Sequence, residues 1–519
     1  MFTSSRRGFL RGFAGLGAAS MLGGCYSIGR SGSGKIRLAV VGVGGKGYSD
    51  WTPMLKTGLA EVVAFCDADA NTYIKCLQRA AKEGYGDLSG VPFYSDYRKL
   101  LDACDFLGVE AMTISTPDHV HAPVAIQAMQ QGIHVYVQKP LVRTLWELDY
   151  FNRTARKKGV VVQMGNQGSA LNSMRRCTEV LQSGILGDVT EVHVWTNRPV
   201  WPQGKSLSDY IKRRGNKGDP VPAGFNWNAF LATAKDRPYL GAFPKELGPF
   251  HNDWKIAPNV YHAFNWRGSI DFGAGAFGDM ACHTMNLPFR GLELGVVTEV
   301  ECTQVEDASD LIYPANSTVK LTYAARTARF GANKGKRLPA VALHWYDGDV
   351  KPPASIMPKW AATHEGKVPN TGCYIIGSKG AVLMQDDYGA KCALALNDDK
   401  AFIDIFQHEA AKAVQRDIPF CSEADVAVTG SSVEMKGLGE GHYGEFLRAI
   451  KGQGPVYAQT HSRCFSDIEY CIPQMEGILV GTIAQQVPGK HVWDSATQRF
   501  GDDRANALIK PFIRQGWAF

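Results

Sequence analysis

The chain has 519 residues, 45% of them hydrophobic, enough for two domains with full-sized cores at about 100–200 residues each. Arg6, Arg7 and Arg11 alone supply half of its formal charge of +6, so charge gives no case for nucleic-acid or membrane-surface binding. Its twelve cysteines show no C-x-x-C spacing. No metal site is expected; most of the thiols read as small buried apolar groups, with a disulfide or two possible in an oxidising compartment.

Residues 1–34 read as a leader. Ser4-Ser5-Arg6-Arg7-Gly8-Phe9-Leu10-Arg11, followed by a weakly apolar Gly12–Gly24 stretch, has the form of a twin-arginine export signal. Its apolar part is shorter than the about 20 residues a spanning helix needs. Leu22-Gly23-Gly24-Cys25 resembles a lipobox, which makes Cys25 the expected lipid attachment site and 27–34 a tether. The expected location is therefore periplasmic, with the membrane reached only through that lipid.

From 35 to 164, short apolar strands alternate with amphipathic stretches, which predicts an α/β Rossmann domain with a doubly wound parallel sheet. Strands are expected at 36–41, 61–66, 110–115, 133–137 and 160–164, and helices at 47–57, 70–83, 97–103, 121–131 and 144–157. The first strand runs into Gly42-Val43-Gly44-Gly45-Lys46-Gly47, and Asp67 closes the second. In such a βαβ unit Gly42 permits the tight turn and Gly44 lets the backbone approach a pyrophosphate. Gly47 lets the helix pack close, and Gly45 and Lys46 complete the loop. An acid at Asp67 suits an adenosine ribose and repels a 2′-phosphate; with no Lys or Arg beside it, NAD is expected over NADP.

Ser115-Thr116-Pro117-Asp118-His119-Val120-His121 and Gln138-Lys139-Pro140 follow the third and fourth predicted strands. Both lie at carboxyl ends of parallel strands, where open α/β sheets bind ligands. A lysine there, beside a nicotinamide, can donate hydrogen bonds to a substrate hydroxyl or carbonyl. Asn166 and Gln167, just past the strand at 160–164, are placed to bind hydroxyl groups.

Residues 165–519 read as an α+β domain around a large, mainly antiparallel, open-faced sheet, with runs at 188–197, 297–304, 316–328, 340–347, 373–377 and 380–384. Segment 198–262, carrying Trp201, Trp227, Trp254 and Tyr261, reads as an insertion over the cleft. Arg198 and Trp201 end a strand expected to face that cleft, and the flat indole suits the apolar face of a pyranose. Asp279 and His283 follow a Gly-rich turn at i and i+4, sharing one helix face. A histidine can take a proton from an alcohol as hydride leaves, and a neighbouring carboxylate can orient it. Residues 441–450 have helical spacing and read as a core helix returning to the sheet.

These motifs, in this order, resemble the Gfo/Idh/MocA oxidoreductases over essentially the whole mature chain. The resemblance implies a Rossmann domain followed by an open-faced sheet that often serves as an oligomerisation surface, hence a homo-oligomer. It implies Lys139 and His283 as the catalytic pair, with Asp279 close to substrate and to His283. It places Thr116, Pro117, His119, His121 and Gln138 along the nicotinamide side of NAD. Two positions depart from the family pattern: Gln138 stands where Glu is usual before Lys-Pro, and Asn286 stands where an Asp often follows the histidine by three residues. Family substrates are mostly sugars and cyclitols. The expected activity is thus NAD-dependent oxidation or reduction of a sugar or glycoside, with the cofactor held and recycled, since free NAD is scarce outside the cytoplasm. The alternatives are an NAD-dependent glycosidase or lyase working by transient oxidation and elimination, and a non-catalytic sugar-binding lipoprotein.

Overall fold

The computed structural model describes residues 34–244, Leu247, 259–421 and 439–519. The leader, Cys25 and Trp254 lie outside the described residues.

The first sheet is wholly parallel, in the order β3-β2-β1-β4-β5-β6. Its strands are β1 Ile36–Val41, β2 Ala60–Cys66, β3 Phe93–Tyr94, β4 Ala111–Ile114, β5 His134–Val137 and β6 Val162–Met164. The connecting helices are α1 Lys46–Lys56, α2 Ala70–Lys82, α3 Tyr97–Ala103, α4 Asp118–Gln130 and α5 Leu145–Lys158. Near-continuous apolar strands such as Ile36–Val41 are what a sheet covered on both faces requires. Local signals fix the helix ends. In α5, the Thr144 hydroxyl accepts from the Glu147 N–H in a capping box, and Gly159 closes the helix at φ 61°.

Beyond β6 come α6 Asn172–Gln182, β7 Val189–Trp195, α7 Lys205–Arg214, α8 Trp227–Leu231, α9 Gly275–Thr284 and α10 Asn286–Gly291. They are followed by β8 Val297–Glu306, β9 Asn316–Tyr323, the small pair β10 Arg326–Thr327 and β11 Arg337–Leu338, β12 Val341–Asp347, α11 Pro358–Thr363, β13 Gly372–Gly377, β14 Gly380–Met384, β15 Cys392–Leu396, β16 Ile403–Asp404 and α12 Glu409–Lys412. The last elements of note are α13 Gly439–Ile450, α14 Ile468–Gln486, β17 Gly489–Asp494 and β18 Arg499–Phe500. The second sheet has ten strands in the order β16-β15-β14-β13-β7-β12-β9-β8-β17-β18. Only β7 and β12 pair in parallel within it. Strict alternation of buried and half-buried residues along β9 and β12 shows one face on the core and one toward solvent.

The core runs unbroken from the first sheet to the second, through Val124 and Ile126 of α4, Leu148 and Phe151 of α5, Phe277 and Ala281 of α9, and Ile478 and Val480 of α14. Four differences from the sequence reading stand out. Strands β15 to β18 were not expected, nor was the two-residue β3. The helix expected from 121 begins at Asp118, so half of the 115–121 stretch is helical. Helix α13 does not return to the large sheet: Tyr443, Phe446 and Leu447 complete the core on the other face of the first sheet, beside Trp51 and Tyr136. All eleven described cysteines are free thiols, and burial pushes those of Cys66, Cys373, Cys464 and Cys471 upward, as for small core residues.

Candidate active site

The carboxyl ends of β1, β2, β4 and β5 open into one cavity of about 630 Å³, whose opposite wall comes from the second domain. At its floor Gly42 turns at φ +81°, and a Cβ there would lie 2.5 Å from the Ser115 carbonyl oxygen. A Cβ on Gly47 would lie 1.9 Å from the Gly42 carbonyl, so only glycine lets α1 sit this close to β1. No side chain caps α1, and its first turn carries no acid. The leading N–H groups therefore face the cavity as an anion site. At the end of β2, Asp67 accepts from the N–H of Val43 at 2.8 Å and of Asp69 at 3.0 Å, which leaves lone pairs for ribose hydroxyls. Burial raises its pKa against those two bonds, and the charged neighbours acting on it are His262 and Asp69, with no Lys or Arg. This floor fits a dinucleotide without a 2′-phosphate. Gly42, Gly44, Gly45, Lys46 and Asp67 all line the cavity, whereas Gly47 serves packing behind it.

At the other end of the floor, Lys139 Nζ donates to Asp279 Oδ1 at 2.8 Å and to the Asp279 carbonyl at 3.0 Å. Arg267 Nε donates to the same Oδ1 at 3.3 Å. Burial alone would raise the Asp279 pKa, but the two cations outweigh it and bring it to about 2. His283 lies one turn further along α9. Burial, then Lys139, holds its imidazole well below the usual histidine range, so it is neutral at pH 7. Its Nδ1 has no hydrogen-bond partner among the described residues. The sequence reading had Asp279 orienting His283. Instead the carboxylate is spent on Lys139 and Arg267, while the edge of Tyr388 packs on the imidazole, with ring centroids 4.6 Å apart.

The 115–121 stretch divides. Thr116, Pro117, Asp118 and Val120 line the cavity. His119 and His121 do not, which corrects their assignment to the cofactor. His119 is sandwiched by Phe230 and Phe272, with its ring nitrogens 3.0 and 3.3 Å from the carbonyls of those residues. His121 bridges the carbonyls of Pro140 and Thr116 at 2.7 and 2.9 Å. Because α4 starts at Asp118, both histidines point into protein; burial lowers them to about 3 and about 4, so they are neutral struts.

Gln138 lines the cavity, but its amide is engaged from behind. Nε2 donates to both carboxylate oxygens of fully buried Asp50, at 2.9 and 3.1 Å. Asp50 also accepts from Lys46 Nζ at 2.5 Å, Ser115 Oγ at 2.8 Å and Tyr443 OH at 2.8 Å. A glutamate at 138 would set two carboxylates against each other, so the departure from the family pattern answers to Asp50. At the other departure, Asn286 is buried outside the cavity wall, donating to Ser169 Oγ at 3.0 Å and accepting from the Tyr470 hydroxyl.

Of the expected substrate residues, Gln167, Arg198 and Trp201 line the cavity. Arg198 pairs with Asp387 at 3.1 Å, and Trp201 Nε1 donates to Gln203 at 2.7 Å. Asn166 is fully buried and is not part of the cavity wall. From segment 198–262, Arg198, Val200, Trp201, Ala229, Phe230 and His262 line the cavity, and Trp227 and Tyr261 sit in an aromatic cluster around Phe225, Phe230 and Phe272.

Two wall residues, Tyr388 and Arg267, went unnoticed in the sequence, and Asp118 was read only as part of the 115–121 stretch. Asp118 is buried, and burial, then the Asp279 carboxylate, pushes it up to about 8, so it is a neutral carboxyl at pH 7. Pro117-Asp118 is a helix-start signal that would have placed it. Tyr388 is set by a turn in which the Asp386 carboxylate accepts from the N–H groups of residues 388, 389, 390 and 391 at 2.7–3.1 Å. Asp386-Asp387-Tyr388-Gly389 reads as a turn, but its place in the cleft depends on sheet order. Nothing local marked Arg267.

Residues 36–166 match the oxidoreductase family model GFO_IDH_MocA, described as an NAD-binding Rossmann fold, and the cofactor is NAD. Among curated proteins, the chain is similar to Glycosyl hydrolase family 109 protein 2 of Akkermansia muciniphila, 29% identical over 163 residues, 30% of this chain and 33% of that protein. It is also similar to 2,7-anhydro-N-acetylneuraminate hydratase of Mediterraneibacter gnavus, 26% identical over 110 residues, 21% of this chain and 29% of that protein. The chain thus spans about a third of the length of these relatives. Two solved structures share the two-domain fold at low identity. The WlbA dehydrogenase of Chromobacterium violaceum, with NADH and UDP-GlcNAcA, has a TM-score of 0.54 at 15% identity, over 91% of this chain and 99% of that one. An inositol dehydrogenase homolog of Azotobacter vinelandii, with NADH and myo-inositol, has a TM-score of 0.53 at 16% identity, over 88% and 96%.

Proposed function

We propose that this protein is an NAD-dependent oxidoreductase acting on a hydroxyl or ketone of a sugar or glycoside, with its cofactor retained and recycled in the site. The observation that carries this reading is the meeting, in one cavity, of the glycine turn and Asp67 with the Lys139–Asp279–Arg267 cluster and a neutral, buried His283.

Bound NAD supplies the hydride acceptor. The N-terminus of α1 and the 42–46 loop hold its phosphates, and Asp67 accepts from the adenosine ribose. Lys139, aimed by Asp279, donates to the reacting substrate oxygen. His283, a neutral imidazole lining the cavity, accepts the hydroxyl proton as the carbon is oxidised and returns it in the reverse direction. Asp118, as a neutral carboxyl, donates to a further substrate or ribose oxygen. Trp201 and Tyr388 offer flat apolar surfaces, and Gln167 and Arg198 offer polar ones, a mixture that suits a sugar ring.

The curated relatives favour a second reading. A glycosyl hydrolase and an anhydro-sugar hydratase are named for reactions with no net redox change, and transient oxidation followed by elimination would serve such chemistry with the same residues. Purified protein incubated with a glycoside panel and no added NAD decides between them. Aglycone release over many turnovers establishes the second reading; oxidised or reduced sugar in amounts tied to a second sugar acceptor or donor establishes the first; neither outcome with any sugar sinks both. The same proposal includes export through the twin-arginine leader, a lipid on Cys25 and self-association through the open sheet face; Arg6-Arg7 and Leu22–Cys25 support the first two, and the half-exposed face of β9 and β12 supports the third.

A further inference from the structure

The carboxyl end of β2 lies three strand spacings from that of β5, roughly 14 Å at about 4.8 Å each, so Asp67 marks the adenosine end of the cavity and Lys139 the reacting end. Over the adenosine end, a run from the second domain is stitched to the loop that follows Asp67. The Ala70 N–H donates to the Gly224 carbonyl at 2.9 Å, and the Asn226 N–H to the Ala68 carbonyl at 2.7 Å. Between them Asp69 and Phe225 form an antiparallel bridge. Side chains reinforce it: Asn71 Nδ2 donates to the Ala223 carbonyl at 2.9 Å, and Asn226 Nδ2 reaches both the carbonyl and hydroxyl of Ser95 at 3.3 Å. His262 Nε2 lies 3.2 Å from Asp69 Oδ2 with its ring stacked on Phe225 at 4.8 Å.

We infer that residues 222–226 with His262 form a clamp that closes the adenosine half of NAD into the cavity, so that the cofactor leaves only when this short strand pairing opens. Ala68, Thr72 and Ser95 on one side, and His262 on the other, bound the cavity at this point. A ligand seated against Asp67 would meet Ala68, Ser95 and His262, each of which is bonded to or stacked on the 222–226 run. Among the described residues no hydrogen bond joins the clamp to Lys139, Asp279, Arg267 or His283, so substrate can exchange while the dinucleotide stays. This inference rests on the reading of the cavity as the site of a retained NAD and names the element responsible.

The test compares the full-length protein with Asn71→Ala/Asn226→Ala and with His262→Ala. Protein loaded with isotope-labelled NAD is chased with unlabelled NAD, and AMP and nicotinamide mononucleotide are each titrated against nucleotide-stripped protein. The expected result is label release at least tenfold faster in both variants, with AMP binding weakened and mononucleotide binding unchanged. Release within twofold of the parent in both variants overturns the clamp. So does equal weakening of AMP and nicotinamide mononucleotide, because that pattern reports a general loss of fold, which a thermal melt would register independently. Protein isolated without nucleotide would count against cofactor retention, while the AMP titration would still decide whether the clamp acts on the adenosine half.

Discussion

In the proposed reaction Lys139 is the hydrogen-bond donor and His283 the neutral base, and the lysine bears on the histidine's state. Asp279 Oδ1 accepts from Lys139 Nζ at 2.8 Å, and burial, then the lysine, keeps His283 unprotonated. Lys139→Ala and His283→Ala should each lower turnover by about 10²–10⁴-fold, as for general acid–base groups, with NAD still bound at the parent level; unchanged steady-state rates in both would discard the assignment. Lys139→Ala also strands a buried carboxylate, but Arg267 remains at 3.3 Å, so the stability loss should fall below the about 3–5 kcal/mol of a fully broken buried pair. Asp118 carries a pH signature. Burial and the Asp279 carboxylate push its pKa up to about 8 in the folded protein, against 3.8 for a free carboxyl. The folded state therefore keeps a proton that the unfolded chain gives up, and this contribution is whole below about pH 4 and lost as pH rises toward 8. In Asp118→Asn the fall in melting temperature between pH 5 and pH 8 should be smaller than in the parent, and an equal fall would show that Asp118 titrates normally.

At the scale of elements, the junction of α1, β5 and α13 turns on Asp50, whose carboxylate takes donors from all three. Gln138→Glu should destabilise the protein by about 3–5 kcal/mol, the cost of an uncompensated buried charge, and adding Asp50→Asn should recover most of it. Denaturant melts of the four proteins in this cycle read the coupling, and additive losses would mean that the two side chains do not interact as the structure places them. Gly42, Gly44, Gly47 and Asp67 were legible in the sequence because a nucleotide turn is built from neighbours in the chain. Lys139 and His283 were legible because each closes its own strand or helix. Residues whose roles depend on distant partners were not: Asp50 meets Tyr443 across 393 positions, and Arg267 meets Asp279 only because the loop before α9 folds back. The two histidines of the 115–121 stretch were misread for a related reason. The helix starts at Asp118, three residues before the expected 121, so helical geometry sets both side chains where a loop at the sheet edge was expected.

The molecule as a whole joins its sheets through a shared core, with α14 lying between α9 and the first domain's α5. Its cavity is consequently a feature of two domains at once: the nucleotide floor is local, and the roof is not. No helix among the described residues is long and apolar enough to cross a membrane. The first domain also lacks one of its own covers. Residues 35–166 produced alone should expose the apolar face that α13 hides, and should be insoluble or molten, without a cooperative melt and without measurable NAD binding. A soluble, cooperatively melting fragment would show that α13 is dispensable.

That missing cover has a consequence in biosynthetic time. Tyr443 lies 397 residues downstream of Lys46, and at about 5–20 residues per second the ribosome needs roughly 20–80 s to supply the one after the other. Throughout that interval Trp51, Tyr136 and their neighbours lack the cover that Tyr443, Phe446 and Leu447 provide in the finished fold. Cofactor loading then becomes one of the last events in the protein's maturation, although the glycine turn is among the first parts to be made.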